Sequence, residues 1–149
     1  MHVSPIVFCE HTGNWAAAWR RVEARLSRDE HGVRSPRLIE TRSARESREV
    51  IAAHRESFLV VELAPPTIEQ ALDLLLHVMV AVREAVTVIV ASREMSPYEE
   101  LGRELGAQAF VVSSLGLEGL RDLALRHLAR SAAETVDVQQ RIWENLPWS

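Results

Sequence analysis

The chain of 149 residues contains no lysine, and its 17 basic residues are therefore all arginine. This absence excludes Schiff-base enzymes, P-loop phosphate binding and Ser-Lys catalytic dyads, because each of them needs a lysine amine. Arginine cannot take over these roles, since its guanidinium stays protonated and does not act as an amine nucleophile. Aspartate is also scarce: among the 21 acidic residues, the only aspartates are Asp29, Asp73, Asp122 and Asp137.

Cysteine, long apolar runs and concentrated positive charge are scarce as well. Cys9 is the only cysteine, which favours a reducing compartment because no internal disulfide can form. The most apolar run, residues 71–82, includes Asp73 and His77 and is too short for a bilayer, which needs about twenty residues. The formal net charge is −4, and nucleic-acid binding typically needs a basic surface. No secretory leader is recognisable. We expect a cytoplasmic protein that binds neither nucleic acid nor membrane.

Apolar runs and amphipathic patterns alternate along the chain, which predicts strands alternating with helices. The predicted strands are 3–10, 36–41, 58–63, 86–91 and 109–113, and the predicted helices are 14–28, 43–54, 67–84, 98–105 and 117–130. Apolar strands separated by helices are typical of a parallel sheet covered on both faces. The sequence therefore predicts an α/β fold, a flavodoxin-like doubly wound sheet of five strands in the order 2-1-3-4-5. Residues 1–130 form this domain, and residues 131–149 form a C-terminal tail.

Local signals predict where the helices begin and which face they bury. Asn14 is the predicted N-cap of the first helix, and Thr67 with Gln70 forms a predicted capping box before the third. The third helix is apolar at most positions, and one stripe can face the sheet: Ile68, Leu72, Leu75, Met79 and Val82. Leu76 and Val80 then point elsewhere, so they are covered by neighbouring side chains, by the tail or by another subunit.

Polar residues follow the predicted strands at the edge where doubly wound sheets bind their ligands. In chain order the candidates are Glu10, His11, Glu62, Ser92 and Ser113. A polar rim is also what ordinary solvated loops produce. No Gly-x-Ser-x-Gly elbow, cysteine cluster or paired-histidine spacing accompanies these residues, so we predict no catalytic residue and no metal ligand.

Two segments carry a resemblance to a known family. Leu105-Gly-Ala-Gln-Ala-Phe-Val-Val-Ser-Ser-Leu115 resembles the Gly-Ala turn, apolar strand and following loop of bacterial response-regulator receiver domains. Phe58-Leu-Val-Val-Glu-Leu-Ala-Pro-Pro66 resembles the third receiver strand, in which a phosphorylated Asp is followed shortly by Pro. The resemblance covers residues 3–130 in order and spacing, and it implies a flavodoxin-like fold and a role in signal transduction.

The chain departs from receiver domains where they carry their phosphorylation chemistry. Receivers hold Mg²⁺ with an acidic pair after the first strand, where this chain has Glu10 and His11, or Cys9 and Glu10. The receiver Asp of the third strand, the hydroxyl residue of the fourth and the Lys of the fifth correspond here to Glu62, Ser92 and Ser113. Phosphoryl transfer needs the acceptor, the metal and the lysine together. The resemblance therefore implies a degenerate pseudo-receiver that is not phosphorylated on Asp and has no cofactor.

Glu62 has two interpretations. Its carboxylate imitates a phosphorylated Asp and pairs with Arg93, which fixes an active conformation, or it is a solvated carboxylate at the end of a strand. A competing class of function is a small-molecule-binding or metal-assisted enzyme with its site at the strand ends. In that alternative, His11 coordinates a metal with Glu10 and Glu62. The main hypothesis is a non-catalytic module that acts by protein–protein interaction.

The tail contains bulky apolar residues that need cover. Trp143, Leu146 and Trp148 lie close to the end of the chain, where terminal segments are ordinarily polar. They dock on the chain's own helices or on a partner, for which tryptophan is a typical anchor. The receiver resemblance adds an interaction face that includes Tyr98. We expect a partner protein and a homodimer, with contacts through these residues and through Leu76 and Val80.

Overall fold

A computed structural model describes residues 4–27 and 36–147. Within these residues the strands are β1 (Ile6–Cys9), β2 (Leu38–Thr41), β3 (Phe58–Leu63), β4 (Val86–Ala91) and β5 (Ala107–Val111). They form one parallel sheet in the order β2-β1-β3-β4-β5. The predicted flavodoxin-like sheet is therefore confirmed.

Helices follow the strands. They are α1 (Asn14–Ser27), α2 (Ala44–Ala53), α3 (Ile68–Ala81), α4 (Glu99–Glu104) and α5 (Leu117–Glu144). Short 3-10 turns lead into the last three of these helices, at Pro65–Thr67, Arg93–Tyr98 and Ser114–Gly116. No helix in the described ranges is both long enough and apolar enough to cross a membrane.

The sheet separates two apolar cores because successive side chains of a strand point to opposite faces. In β3, Phe58 and Val60 belong to the core beneath α1 and α5, whereas Leu59 and Val61 belong to the core beneath α2 and α3. All four side chains are buried, which is typical of a central strand. The leucine and isoleucine of β2 are only partly buried, as expected at an edge.

Neither predicted capping residue makes a capping bond with its side chain, although Thr67 does occupy the N-cap position of α3. Asn14 lies inside α1, whose first helical hydrogen bond is accepted by the carbonyl of Gly13 from Ala17. Thr67 precedes α3, but its side chain makes no capping bond, because the 3-10 turn begun by the two prolines leads directly into the helix. Ser43 caps α2 with its side chain, which accepts the backbone N–H of Glu46 at 3.1 Å.

The buried face of α3 differs from the predicted stripe. The prediction is confirmed for Leu75 and Val82, which are buried, and Ile68 and Leu72 are partly buried against the same core. The other buried side chains of this face belong to Ala71, Leu74 and Val78. Met79, which was predicted to be buried, is exposed, as are Leu76 and Val80. The prediction is offset because the helix is apolar at most positions, and periodicity alone then allows more than one stripe.

The last strand and the last helix have other bounds than predicted. β5 begins at Ala107, directly after the turn at Gly106, since pairing of Ala107 with Thr87 overrides the low strand propensity of this alanine-rich segment. α5 continues beyond Arg130 to Glu144, because the sequence offers no glycine or proline that would end it sooner. The predicted tail is thus helical through Glu144, while Trp148 lies outside the described residues.

Candidate functional site at the carboxyl edge of the sheet

The five predicted site residues all lie at the carboxyl edge of the sheet, but they do not form one cluster. Glu10 and His11 directly follow β1, and Glu62 is the penultimate residue of β3. These three line one pocket. Ser92 and Ser113 do not line it. The hydroxyl of Ser92 donates to Glu94 at 3.2 Å, and that of Ser113 accepts the N–H of Leu115 at 3.2 Å.

Glu10 caps the first helix with its side chain. One carboxylate oxygen accepts the backbone N–H of Trp15 at 2.9 Å, and the other accepts that of Ala16 at 2.7 Å. The side chain is nearly inaccessible, since the residue is only 3% exposed. The backbone N–H of Glu10 donates to the carbonyl of Thr41 at 3.2 Å, which ties the loop to β2. Both oxygens are therefore engaged by the first turn of α1, whose free N–H groups favour a negative charge.

Burial raises the pKa of the Glu10 carboxyl above its ordinary value, against the opposing effect of the N–H groups of Trp15 and Ala16. The negative charge of Glu62 contributes to the rise, and Arg42 opposes it. The nearby charge of Glu62 and the loss of water around the side chain both make ionisation of Glu10 less favourable.

Glu62 contacts the neighbouring loop rather than an arginine. Its Oε1 accepts the backbone N–H of His11 at 3.1 Å. No ion pair joins Glu62 to Arg93 in the part of the chain that is described, so the predicted pairing is wrong. Arg93 begins the 3-10 turn that follows β4, and its side chain is exposed to solvent.

The pocket at this edge has a volume of about 190 Å³. It lies where β1 has β2 on one side and β3 on the other, which is the switch point of the strand order. Its lining residues are Cys9, Glu10, His11, Arg42, Ser43, Ala44, Glu62, Thr67, Gln70 and Ala71. Ser43 and Gln70 were not among the predicted site residues. The signal that could have found them is their place at the starts of α2 and α3, which face the strand ends in such folds.

Arg42 is the only basic side chain in the lining, if His11 is counted as neutral. Its guanidinium donates to Glu40 at 3.0 Å, and Arg20 donates to the other oxygen of the same carboxylate at 2.7 Å. Hydrogen bonds from Arg20 and Arg42 lower the pKa of Glu40. One carboxylate thus serves two guanidinium groups, and an anion in the pocket would have to compete with Glu40 for Arg42.

Cys9 forms the inner wall of the pocket beside two hydroxyls. Burial raises the pKa of its thiol, although Ser47 and Thr41 lower it by hydrogen bonding. These hydroxyls are engaged with each other at 2.5 Å, and Thr41 also donates to the carbonyl of Phe8 at 2.8 Å. A thiol with a raised pKa is mostly protonated at neutral pH and is a poor nucleophile.

The residues at this edge do not fit the Mg²⁺ site that receiver domains carry. Hard cations need several free oxygen ligands, and both oxygens of Glu10 already accept backbone N–H groups. Across residues 4–27 and 36–147, no three His, Cys, Asp or Glu side chains lie close enough together to hold a metal ion.

The strand order and the helices between the strands define a flavodoxin-like α/β domain. No protein-family model matches the chain, and no curated protein matches its sequence. A response regulator receiver domain from Rhodospirillum rubrum is similar in structure, with a TM-score of 0.60 and 15% sequence identity over 86% of this chain and 94% of that one. The response regulator StyR is similar with a TM-score of 0.57 and 17% identity, over 96% of this chain and 71% of that one. The chain therefore has the receiver-domain fold, as the resemblance implied.

Proposed function

We propose that the chain is a non-catalytic pseudo-receiver, a signalling module that acts by protein–protein contact and is not phosphorylated on an acidic side chain. The observation that carries this proposal is the capping of α1 by Glu10. The two oxygens of this carboxylate accept the N–H groups of Trp15 and Ala16, and the residue is only 3% exposed, so it presents little free oxygen to Mg²⁺. The phosphorylation chemistry of receivers needs that metal to neutralise the transferred group.

Two further positions support the proposal. Glu62 replaces the receiver Asp, and its longer side chain reaches across to the N–H of His11. Ser113 replaces the receiver Lys, and its hydroxyl binds its own loop at Leu115. Neither side chain supplies a fixed positive charge for a phosphoryl oxygen. In this proposal, the side chains at three positions of the phosphorylation apparatus make structural hydrogen bonds instead.

Exposed apolar side chains favour contact with another protein. Leu76 and Val80 project from α3, with Val80 64% exposed, and Tyr98 is exposed in the turn before α4. Trp143 is 66% exposed near the end of α5, and Leu146 is half-buried. Large apolar side chains are the usual anchors of protein interfaces. We propose the cytoplasm as the location, because the single thiol has no partner for a disulfide.

The pocket favours a second candidate function, the binding of a small molecule at the strand ends. Its volume of about 190 Å³ suits only a small ligand, since drug-sized ligands occupy pockets of about 300 Å³ or more. His11 and Arg42 could donate to such a ligand. The raised pKa of the Cys9 thiol argues against nucleophilic catalysis there.

Treatment of the protein with Mg²⁺ and acetyl phosphate, followed by intact-mass measurement, tests the main proposal. We expect no phosphoryl adduct on the native chain. The matched variant Glu62→Asp restores the receiver acceptor and should also stay unmodified, because Glu10 still caps α1. An adduct on the native chain would refute the proposal. A saturable change in tryptophan fluorescence on adding Mg²⁺ with beryllium trifluoride would favour the ligand-binding alternative, since Trp15 adjoins the pocket loop.

A further inference from the structure

The last part of α5 extends beyond the domain. The first half of the helix packs on the sheet, and His127 near its middle bonds to the carbonyl of Glu56, just before β3, at 2.8 Å. The helix has therefore reached the amino edge of the sheet by Ser131, which is still buried. The described side chains from Ala133 to Asn145 are all exposed. At 1.5 Å per residue, this extension is about 20 Å long.

The extension is amphipathic. Four large apolar side chains are exposed on it, namely Val136, Val138, Ile142 and Trp143. With 100° between successive residues, they fall within an arc of about 160°. The remaining surface carries polar pairs, in which Arg141 bonds to Asp137 at 3.0 Å and Gln140 donates to Glu144 at 3.3 Å.

Two residues of this arc continue the face by which α5 packs on its own sheet. Leu128 and Ser131, both buried, are three residues apart. Val138 follows Ser131 by seven residues, and Ile142 follows Val138 by four. Spacings of three, seven and four residues are typical of the seam along which the helices of a coiled coil pack. We call the line of Leu128, Ser131, Val138 and Ile142 the seam of α5. The seam is 54% exposed at Val138 and 57% exposed at Ile142.

We propose that a second copy of the chain covers this seam, with the two extensions packed side by side and antiparallel. A parallel partner on the same face is excluded on steric grounds. The first half of the partner's α5 would then occupy the space that this chain's sheet fills. An antiparallel partner approaches from the far end of the extension and leaves both sheets free. This inference rests on the proposed function, since it names the protein that one of the contact surfaces binds.

The charges beside the seam agree with this orientation. Glu134 and Arg141 are seven residues apart, and they therefore flank the seam on the same side. In an antiparallel pair, the side of the seam that carries Glu134 and Arg141 in one copy lies against the same side of the other copy. Glu134 of each copy can therefore face Arg141 of the other. In a parallel pair Glu134 would face Gln139, which is uncharged. Opposite charges beside a seam set the orientation of paired helices.

A membrane surface fits the extension less well. Helices that lie on membranes carry Lys and Arg on their polar face, because biological membranes are anionic. The extension has three acidic residues, Glu134, Asp137 and Glu144, against the single basic residue Arg141. The polar face would therefore be repelled by an anionic bilayer. A short helix pair buries less than the roughly 1,200 Å² of a standard interface, so we expect a dimer that dissociates on dilution.

Sedimentation velocity of the full chain over a range of concentrations tests the proposal. We expect a mass that rises from one to two chains with concentration. Val138→Asp and Ile142→Asp should each weaken the dimer at least tenfold, because they place a charge in the seam. Gln140→Asp, which adds the same charge to the polar face, should leave the dimer unchanged. Circular dichroism checks that α5 stays helical in each variant.

A charge exchange tests the antiparallel orientation. Glu134→Arg and Arg141→Glu should each weaken the dimer about fivefold, the equivalent of roughly 1 kcal/mol for exposed ion pairs. The double variant Glu134→Arg with Arg141→Glu should restore it, since the opposite charges face each other again. Without restoration, the antiparallel pairing is wrong.

Other outcomes would overturn the proposal as a whole. A chain with helical α5 that remains a monomer at every concentration contradicts it, and so does a dimer that tolerates both aspartate variants. Flotation with anionic vesicles that Ile142→Asp abolishes would assign the extension to a membrane instead. None of these results bears on the phosphorylation test. A phosphoryl adduct would refute the proposed function and leave the dimer result intact.

Discussion

The carboxylate of Glu10 accepts the backbone N–H of Ala16 at 2.7 Å. This bond connects the residue that follows β1 to the first turn of α1, and the N–H of Trp15 completes the cap at 2.9 Å. An acidic residue at this position is what a receiver domain would use to hold a metal. Here it caps α1, and in the function proposed above this structural role takes the place of metal binding.

Replacement of the Glu10 carboxylate should destabilise the fold. Glu10→Ala leaves the N–H groups of Trp15 and Ala16 without acceptors in a nearly inaccessible position, and we expect a loss of about 1–2 kcal/mol in the free energy of unfolding. Urea denaturation measures this loss. Glu104→Ala, at an exposed glutamate at the end of α4, is the control and should change stability little. Equal effects of the two variants would mean that the cap contributes nothing.

The stability contribution of Glu10 should depend on pH. Burial raises the pKa of its carboxyl above the ordinary value of 4.5, so the folded chain holds this proton more tightly than the unfolded chain does. The contribution is fully present below pH 4.5 and is lost as the pH rises through the pKa of the folded state. The native chain should therefore lose stability relative to Glu10→Gln as the pH rises from this value towards neutrality. If the difference in stability between the native chain and Glu10→Gln does not change with pH, the pKa of Glu10 is not raised.

Glu40 should show the opposite dependence. Hydrogen bonds from Arg20 and Arg42 lower the pKa of its carboxyl below the ordinary 4.5. Its contribution is present above pH 4.5 and is lost as the pH falls through the lowered pKa. The stability of the native chain relative to Glu40→Gln should therefore decrease on acidification. Measured by the same urea titrations, Glu10→Gln and Glu40→Gln should give slopes of opposite sign, and slopes of equal sign would refute one of the two assignments.

Gly13 should resist substitution because of its backbone conformation. Its φ is +86°, and a Cβ there would lie 2.7 Å from a guanidinium nitrogen of Arg42. Gly13→Ala should therefore cost about 1–2 kcal/mol in the free energy of unfolding. Gly119→Ala is the matched control, since no atom lies within 4 Å of its Cβ position in α5, and it should stabilise by about 0.5–1 kcal/mol. Thermal denaturation of both variants measures these changes in stability. If Gly13→Ala is as stable as the native chain, the turn relaxes to accept the side chain.

Cys9 should react slowly in the folded protein. Burial raises the pKa of its thiol, and thiolates, not thiols, are the reactive species. Because it is the only cysteine, maleimide labelling followed by mass measurement reports on this site alone. We expect labelling at neutral pH to be slower than in urea by on the order of tenfold or more. The exposed thiol of a Cys9→Ser/Ser96→Cys variant is the control. Equal rates for Cys9 and the control would place the thiol in solvent.

Much of the fold was predictable because several signals are local. The β-branched, continuously apolar runs of β3 and β4 have the predicted bounds, and α2 begins within one residue of its predicted start at Ser43. These features depend on neighbouring residues in the chain. Asn14 failed as a cap because Glu10, several residues away, accepts the N–H groups of the first turn of α1 in its place. Sequence spacing does not reveal such a competition between two acceptors.

The candidate site was predictable as a set of residues but not as a set of contacts. Parallel strands carry their carboxyl ends to one edge, so Glu10, His11 and Glu62 were expected there and lie there. Whether Glu62 would bond to Arg93 or to the N–H of His11 depends on the path of two loops, and the structure selects His11.

The sequence by itself determined the fold class and strand order and the absence of a lysine for phosphoryl chemistry, because both follow from residue type and periodicity. Only the tertiary structure decided which stripe of α3 faces the sheet, that Glu10 caps a helix, and that α5 projects beyond the domain with Val138 and Ile142 exposed. The physical reason is the same in each case. An apolar side chain or a carboxylate has several favourable environments, and the packing of distant elements determines which of them it occupies.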